Sequence, residues 1–302
     1  MRVLLTGASS FTGMWFASAL AAGGHEVCCT LRSSSYEGVR GRRVEHLRAV
    51  CETVEGVEFG DARFLELLRG ERWDLLCHHA ATVDGSRDPG FDVPGALRAN
   101  TRSASAVVEA VPRVLLTGSV FEPGEGEGDP ELRAFSPYGL SKRFTADTFA
   151  YCCSVAGVSF GKLVVPNPFG PLEEERYTTG LVRAWLRGEP GVCRTPGHVR
   201  DNIHVSLLAA AFADFAGRLP EGGWSGTLGP SGYRESQGDF TRRFAREIGD
   251  RLGLATPVQE LAGQVSTEPA VRLNRDLIDL ESLGWSERTA WNDLAEYYST
   301  LR

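Results

Sequence analysis

The chain has 302 residues, 42% of them hydrophobic and 24% charged, with a formal net charge of −7. That length buries a large core, in one domain or in two closely joined lobes. Acidic and basic residues are interspersed, which argues against nucleic acid or an anionic membrane as the main partner and leaves room for a small anionic ligand. No apolar run nears the roughly 20 residues that span a bilayer. Met1 leads straight into a strand-like run with no signal-peptide pattern, so the expected compartment is the cytoplasm.

Met1 to Thr6 is a short apolar run ending at Gly7, the pattern of a strand buried on both faces. Phe11 to Ala22 has helical spacing and stops at Gly23-Gly24. Glu26 to Leu31 reads as the second strand, Val57 to Asp61 follows it, and Trp73 to His78 runs into Ala80-Ala81. Residues 94–111 read as a helix and Arg113 to Thr117 as another buried strand. Pro123 to Pro130, rich in Gly and Glu, reads as a mobile surface loop near the active site. Ser136 is a good N-cap and Pro137 a good first helical residue, so the next helix has a defined start. Val158 to Val165 is the sixth strand.

This alternation implies βαβ units, an α/β fold with a doubly wound parallel sheet covered on both faces. After Pro166 the pattern changes. A loop punctuated by Pro168, Gly170 and Pro171 leads to a helix-like stretch from Thr179 to Arg187. Residues 203–218 are again helical, 225–229 form a last strand, and 231–302 hold two or three helices. The expected organisation is a dinucleotide-binding domain from 1–165 and 199–230, with a smaller substrate lobe from 166–198 and 231–302.

Seven cysteines stand at Cys28, Cys29, Cys51, Cys77, Cys152, Cys153 and Cys193, without a Cys-x-x-Cys spacing. They read as reduced thiols acting as small hydrophobes. Neither a disulfide framework nor a metal site is expected.

Only two of the 32 basic residues are lysines, Lys142 and Lys162. Tyr138 and Lys142, four apart, share one helix face. There an ammonium can favour the phenolate, and its compact charge can reach ribose hydroxyls. Upstream, Thr6-Gly7-Ala8-Ser9-Ser10-Phe11-Thr12-Gly13 joins the first strand to the first helix, where glycines and a helix N-terminus suit a pyrophosphate.

Gly7 to Gly13, Asp61, Ala80-Ala81, Asn100, Ser119 and Tyr138-x-x-x-Lys142 together resemble an extended short-chain dehydrogenase/reductase. Within that group the chain looks like the nucleotide-sugar epimerases, dehydratases and reductases. Ser86-x-Asp88-Pro89, Asn167-x-x-Gly170-Pro171, Arg200 to Val205 and Leu283-Gly284-Trp285 extend the likeness along nearly the whole chain. The resemblance implies that Tyr138 is the general acid/base, that Lys142 holds the nicotinamide ribose, and that Ser119 hydrogen-bonds the reacting oxygen, with Thr117 as a fallback. It implies that Gly7, Ser9, Ser10, Phe11, Thr12 and Gly13 bind the pyrophosphate, Asp61 the adenine, and Ala80, Ala81 and Thr117 other parts of the cofactor. Asn167 and Arg200 would contact the substrate's diphosphate side, with Arg272 and Glu122 as further substrate contacts.

Three departures from the family pattern bear on function. Ser10 stands where the turn has its middle glycine, and its hydroxyl is expected to face the phosphates. The second strand ends in Arg32-Ser33 without an acid, which suits a 2′-phosphate, so NADP is expected, with NAD as the alternative. Ser119 is not followed by the acid pair of 4,6-dehydratases, which disfavours dehydration, although Glu122 is near. The leading reading is therefore NADPH-dependent reduction of a 4-keto nucleotide sugar. The alternatives are an epimerase with tightly bound cofactor, a dehydratase, a reductase of small carbonyls and a non-catalytic cofactor sensor. A homodimer is the family expectation, formed by the helices at 94–111 and 137–155 with Ala104, Val107, Phe144 and Phe149 as candidate contacts.

Overall fold

The structure, a computed structural model, describes residues 1–86, 88–128, 133–261 and 268–301. Its first part alternates β1 (Arg2–Thr6), α1 (Phe11–Ala22), β2 (Glu26–Leu31), α2 (Gly38–Val50), β3 (Glu52–Glu55), α3 (Ala62–Gly70), β4 (Leu75–His78), α4 (Val93–Asn100), α5 (Ala104–Val108) and β5 (Arg113–Ser119). Then come β6 (Glu127–Gly128), α6 (Pro137–Ala156), β7 (Ser159–Val165), β8 (Asn167–Phe169), α7 (Tyr177–Leu186), β9 (Gly191–Cys193), β10 (Val199–His204), α8 (Val205–Arg218) and β11 (Ser225–Leu228). The last part holds β12 (Pro230–Ser231), β13 (Tyr233–Ser236), α9 (Gln237–Leu252), β14 (Val258–Glu260), β15 (Val271–Leu273), β16 (Asp276–Leu277) and α10 (Glu287–Ser299).

Seven strands form one sheet in the order β11-β7-β5-β4-β1-β2-β3, and every pairing in it is parallel. Successive side chains of β1 enter opposite cores, as strand geometry requires. Val3 and Leu5 join the core that includes Phe16 of α1 and Phe212 of α8, whose rings stack with centroids 4.1 Å apart. Leu4 joins Phe64, Val107 and Phe149 on the other face. The fold is thus the expected Rossmann-type α/β sheet. Its strand order reverses between β1 and β4, and such sheets bind ligands in the crevice beyond the carboxyl ends at that point.

A smaller sheet, β13-β10-β15-β6 with β8 on β10, packs with α7, α9 and α10. Phe169, Phe240, Phe244 and Trp291 fill its aromatic core. Of the span 199–230, β10 pairs in this sheet, while α8 packs against α1 and β11 closes the edge of the large sheet.

Several local expectations are corrected. The third strand is Glu52–Glu55, not 57–61. It is an edge strand with no apolar run, and the buried Val57 precedes a turn in which Gly60 has φ +71° and Asp61 caps α3. The helix over 94–111 is two helices, because Ser103 sits at φ +57° and donates its hydroxyl to the Gly60 carbonyl at 2.9 Å. Helix α2 was invisible in the pattern, since only Arg43, Val44 and Leu47 of its thirteen residues are buried. All seven cysteines are free. Among the described residues no helix is long and apolar enough to cross a membrane.

The segment after β5 is not a loose loop over its described residues. Lys162 of β7, 5% exposed, places Nζ 2.5 Å from Glu122 Oε2 and 2.7 Å from Glu125 Oε1. The buried Arg272 donates to the carbonyls of Glu125 at 3.0 Å and Glu122 at 3.2 Å. Glu127 and Gly128 then pair with β15. Residues 129 and 130 lie outside the described part. Lys162→Met would strand the fully buried Glu122 carboxylate without its main cation. The expected loss is about 3–5 kcal/mol in urea unfolding, partly recovered in the double variant Lys162→Met/Glu122→Gln, which removes the fully buried carboxylate but keeps Glu125. A loss of about 1 kcal/mol or less, the size typical of a surface pair, would contradict this.

Candidate active site

The turn after β1 is built by two glycines and a serine. Gly7 has φ +75°, and a Cβ there would lie 2.6 Å from the Ala80 nitrogen; a Cβ on Gly13 would lie 2.2 Å from the Gly7 carbonyl oxygen. The turn therefore packs directly on the chain leaving β4. Ser10 is the N-cap of α1: its hydroxyl donates to the Gly7 carbonyl at 2.8 Å and accepts from Gly13 N–H at 3.1 Å. This corrects the expectation that the Ser10 hydroxyl faces phosphates; it is turned into the loop. What the turn offers an anion is the N-terminus of a twelve-residue helix, starting at Phe11 and Thr12.

Ala80 N–H donates to Thr6 Oγ1 at 3.1 Å, and Ala81 follows it at the end of β4. The Ser9 carbonyl accepts from the buried Arg43 at 3.2 Å. Arg32 and Ser33 are exposed beyond β2. Arg32 has no hydrogen bond or ion pair among the described residues, whereas the Ser33 N–H donates to the Tyr36 hydroxyl. Asp61 accepts from Phe64 N–H at 2.7 Å with one carboxylate oxygen, as the cap of α3, and from Glu58 N–H at 3.3 Å with the other.

On the other side of the crevice, Ser136 caps α6 and Pro137 opens it. Tyr138 is half-buried, with the Phe91 ring edge-on at 6.5 Å. One turn later Lys142, 4% exposed, donates from Nζ to the Thr117 carbonyl at 2.6 Å. Burial lowers this ammonium to about 8, against the opposing pull of Glu122. The phenol moves the other way: burial, then the negative charge of Glu122, push Tyr138 up to about 12, opposed by Arg176. The expected acidification of Tyr138 by its lysine neighbour does not set this shift: desolvation of the phenolate leads, and the opposing cation is Arg176. Ser119 ends β5. Its Oγ accepts from Phe121 N–H at 3.2 Å, which leaves the hydroxyl proton free to donate.

The candidate substrate contacts divide. Asn167 starts β8 with its Nδ2 buried and without a partner among the described residues. Arg200 is 5% exposed and holds the carbonyls of Val199 and Ala270, His198 Nδ1 at 2.9 Å and Glu268 at 3.2 Å. Arg272 is fully buried and holds the 122–125 segment. Glu122, expected to meet substrate, is fully buried, with Oε1 accepting from Ser119 N–H at 2.8 Å and Oε2 from Lys162. Asn100 ties its carboxamide oxygen to Thr82 N–H and its carbonyl to His78 Nε2.

Two residues escaped the sequence reading. His79 bridges Thr12 and Thr117, and Arg43 links Ser9 to Leu172 and Glu174. The signal for the first was a polar pair, His78-His79, ending an apolar strand just before Ala80-Ala81. The second carried none, being one arginine among many.

A model of the NAD dependent epimerase/dehydratase family matches residues 3–222. Among solved structures, a UDP-glucuronic acid 4-epimerase mutant from Bacillus cereus, in complex with a fluorinated UDP-sugar and NAD, is similar over the full length of both chains at 15% identity, with a TM-score of 0.77. A UDP-glucose 4-epimerase from Thermotoga maritima is similar over the full length of both at 18% identity and a TM-score of 0.73. A dTDP-glucose 4,6-dehydratase from Streptomyces venezuelae gives 21% identity and a TM-score of 0.72 over 99% of this chain and 97% of that one. At these identities the likeness is one of fold.

With only two lysines, the ammonium is directly observable. In lysine-labelled protein, one of the two side-chain NMR signals should titrate with a midpoint near pH 8 and vanish in Lys142→Met. If both signals held their ammonium shifts to beyond pH 10, the ordinary lysine range, the buried setting of Lys142 would be contradicted.

Proposed function

Because the chain belongs to the NAD dependent epimerase/dehydratase family, we propose that it reduces the C4 ketone of a nucleotide-linked sugar with NADPH. The residues present fit that cofactor. The Gly7–Gly13 turn offers close backbone approach and a helix N-terminus to the pyrophosphate. Exposed Arg32, without a partner among the described residues, suits the 2′-phosphate with Ser33, since β2 does not end in an acid and the nearby Glu55 is held by Arg48. Asp61 is assigned to the adenine end, Ala80, Ala81 and Thr117 to the crevice floor, and Lys142 to the ribose hydroxyls. Asn167, with its unpartnered amide, and Arg200 are assigned to the diphosphate of the substrate. The cytoplasm is the proposed compartment.

The observation that carries the reading is that both hydroxyls assigned to the reacting oxygen hold protons to give. A phenol pushed up to about 12 stays protonated at neutral pH, and the Ser119 proton is uncommitted. When bound, the cofactor supplies the hydride to the carbonyl carbon. Tyr138 donates its proton to the carbonyl oxygen, so ketone, hydride and proton balance as an alcohol. Ser119 hydrogen-bonds the same oxygen, and the Lys142 cation offsets the phenolate that forms. Dehydration needs a further acid, and Glu122 has no free oxygen to supply it.

Epimerisation is the second reading, favoured by the family itself, which includes epimerases. It uses the same groups and differs in retaining its cofactor. Incubation with 4-keto nucleotide sugars separates the two. Reduction predicts stoichiometric consumption of added NADPH, faster than of NADH, a loss of about 10²–10⁴-fold in Tyr138→Phe, and an alkaline fall in rate near pH 8 as Lys142 loses its proton. Turnover without added NADPH, and with no net consumption of it, would overturn reduction in favour of epimerisation.

A homodimer through the helices expected at 94–111 and 137–155, which are α4, α5 and α6, is also proposed. Phe144, Tyr151 and Val155 form an exposed stripe on α6, 42%, 71% and 72% exposed, and such apolar stripes mark interfaces. Of the contacts first expected, Ala104, Val107 and Phe149 instead lie in the core. A monomer in sedimentation equilibrium would remove the dimer; Tyr151→Glu should shift a dimer toward monomer.

A further inference from the structure

His79 lies edge-on to Phe16, with ring centroids 5.0 Å apart. Its Nε2 is 2.9 Å from Thr12 Oγ1 and 3.1 Å from Ser10 Oγ, both at the start of α1. Its Nδ1 is 2.7 Å from Thr117 Oγ1 on β5. One ring therefore spans the crevice floor, from the turn assigned to the pyrophosphate to the residue whose carbonyl holds Lys142.

Burial, reinforced by the charge of Lys142 and by His78, lowers His79 to about 3, so the ring is neutral at physiological pH. A neutral imidazole has one N–H and one lone pair, and its neighbours decide which nitrogen has which. Here Ser10 decides. Its single hydroxyl proton goes to the Gly7 carbonyl, and its oxygen already accepts from Gly13. Ser10 has no proton left for the ring, so the 3.1 Å contact is bonding only if Nε2 carries the hydrogen. Nδ1 then presents its lone pair and takes the hydroxyl proton of Thr117. In the other tautomer, the Nε2 lone pair would accept from Thr12 at 2.9 Å but face the lone pairs of Ser10 at 3.1 Å, whereas Nε2–H is attracted to both oxygens.

We propose that His79 is a positioning residue, fixed by Ser10 as its Nε2–H tautomer, which commits the Thr117 proton and turns the lone pairs of that hydroxyl toward the crevice. Two hydroxyls of β5 thereby take opposite parts: Thr117 is an acceptor and Ser119 the donor. The serine at the turn and the histidine at the strand end form one unit across the floor. The effect on turnover rests on the reductase reading; the tautomer does not.

The test reads the tautomer directly. In protein labelled with heavy nitrogen in its six histidines, the signal lost in His79→Asn should show a protonated Nε2 and a bare Nδ1 at neutral pH. In Ser10→Ala the two nitrogen shifts should move toward each other, because the lock is gone. A protonated Nδ1 in the unmodified protein, or an unchanged spectrum in Ser10→Ala, would overturn the proposal. Kinetics add a split. His79→Asn keeps an acceptor at the δ position, and His79→Gln keeps a donor at the ε position. Each lost hydrogen bond should cost about three- to tenfold. The Gln variant should lose it mainly in kcat, and the Asn variant mainly in NADPH affinity. Equal losses in both quantities would reduce His79 to a packing role and overturn the positioning claim. If neither variant folds, the spectra of the unmodified protein and of Ser10→Ala at the crevice histidine still decide. If no keto sugar is reduced, the functional reading fails while the tautomer result stands.

Discussion

The bond from Lys142 Nζ to the Thr117 carbonyl holds a positive charge almost out of water at the carboxyl edge of a parallel sheet. Such a charge is costly unless others offset it, and the surrounding structure is arranged to do so. The Glu122 carboxylate favours the ammonium; Lys162 in turn holds Glu122, and Glu125 holds Lys162. The series alternates in sign along one edge and contains both lysines of a chain whose other cations are arginines. Packing around this series is tight at position 118, where a Cβ would come within 2.4 Å of Lys162 Cε and 2.8 Å of Glu122 Oε1.

The segment after β8 is also tied to the start of the chain. Arg43, fully buried on α2, donates to the Leu172 carbonyl at 2.9 Å, to Ser9 on the glycine turn, and to Glu174 at 2.6 Å. Trp15 of α1 donates to the Pro171 carbonyl at 3.2 Å. Leu172 itself is held at φ +65°, a conformation costly for a branched residue. The chain after β8 is thus bonded, as well as packed, to α1 and to the turn assigned to the pyrophosphate.

Much of the frame was legible because its causes are local. Apolar runs gave β1, β2, β4 and β5, and Ser136-Pro137 gave the start of α6 to the residue. What was not legible depends on partners distant in sequence. β3 is polar because it lies at a sheet edge, and α2 exposes most of its residues. The Pro123–Gly128 segment reads as a flexible loop until Lys162 and Arg272 arrive from 37 to 147 residues away. The same holds for the site. Tyr138, Lys142 and Ser119 stood out by spacing, but the sign of the tyrosine shift depends on burial, and the true role of the Ser10 hydroxyl depends on Gly7 and His79. Glu122 looked available only because its lysine partner was out of view.

The account rests on a protonated phenol beside a cation, serving a hydride transfer to carbon. Reduction of a 4-keto nucleotide sugar with NADPH deuterated at the transferring position tests this most directly, read by mass spectrometry and NMR of the product. The account predicts one deuterium on the former carbonyl carbon. A product formed at the normal rate with no deuterium at that carbon would contradict it.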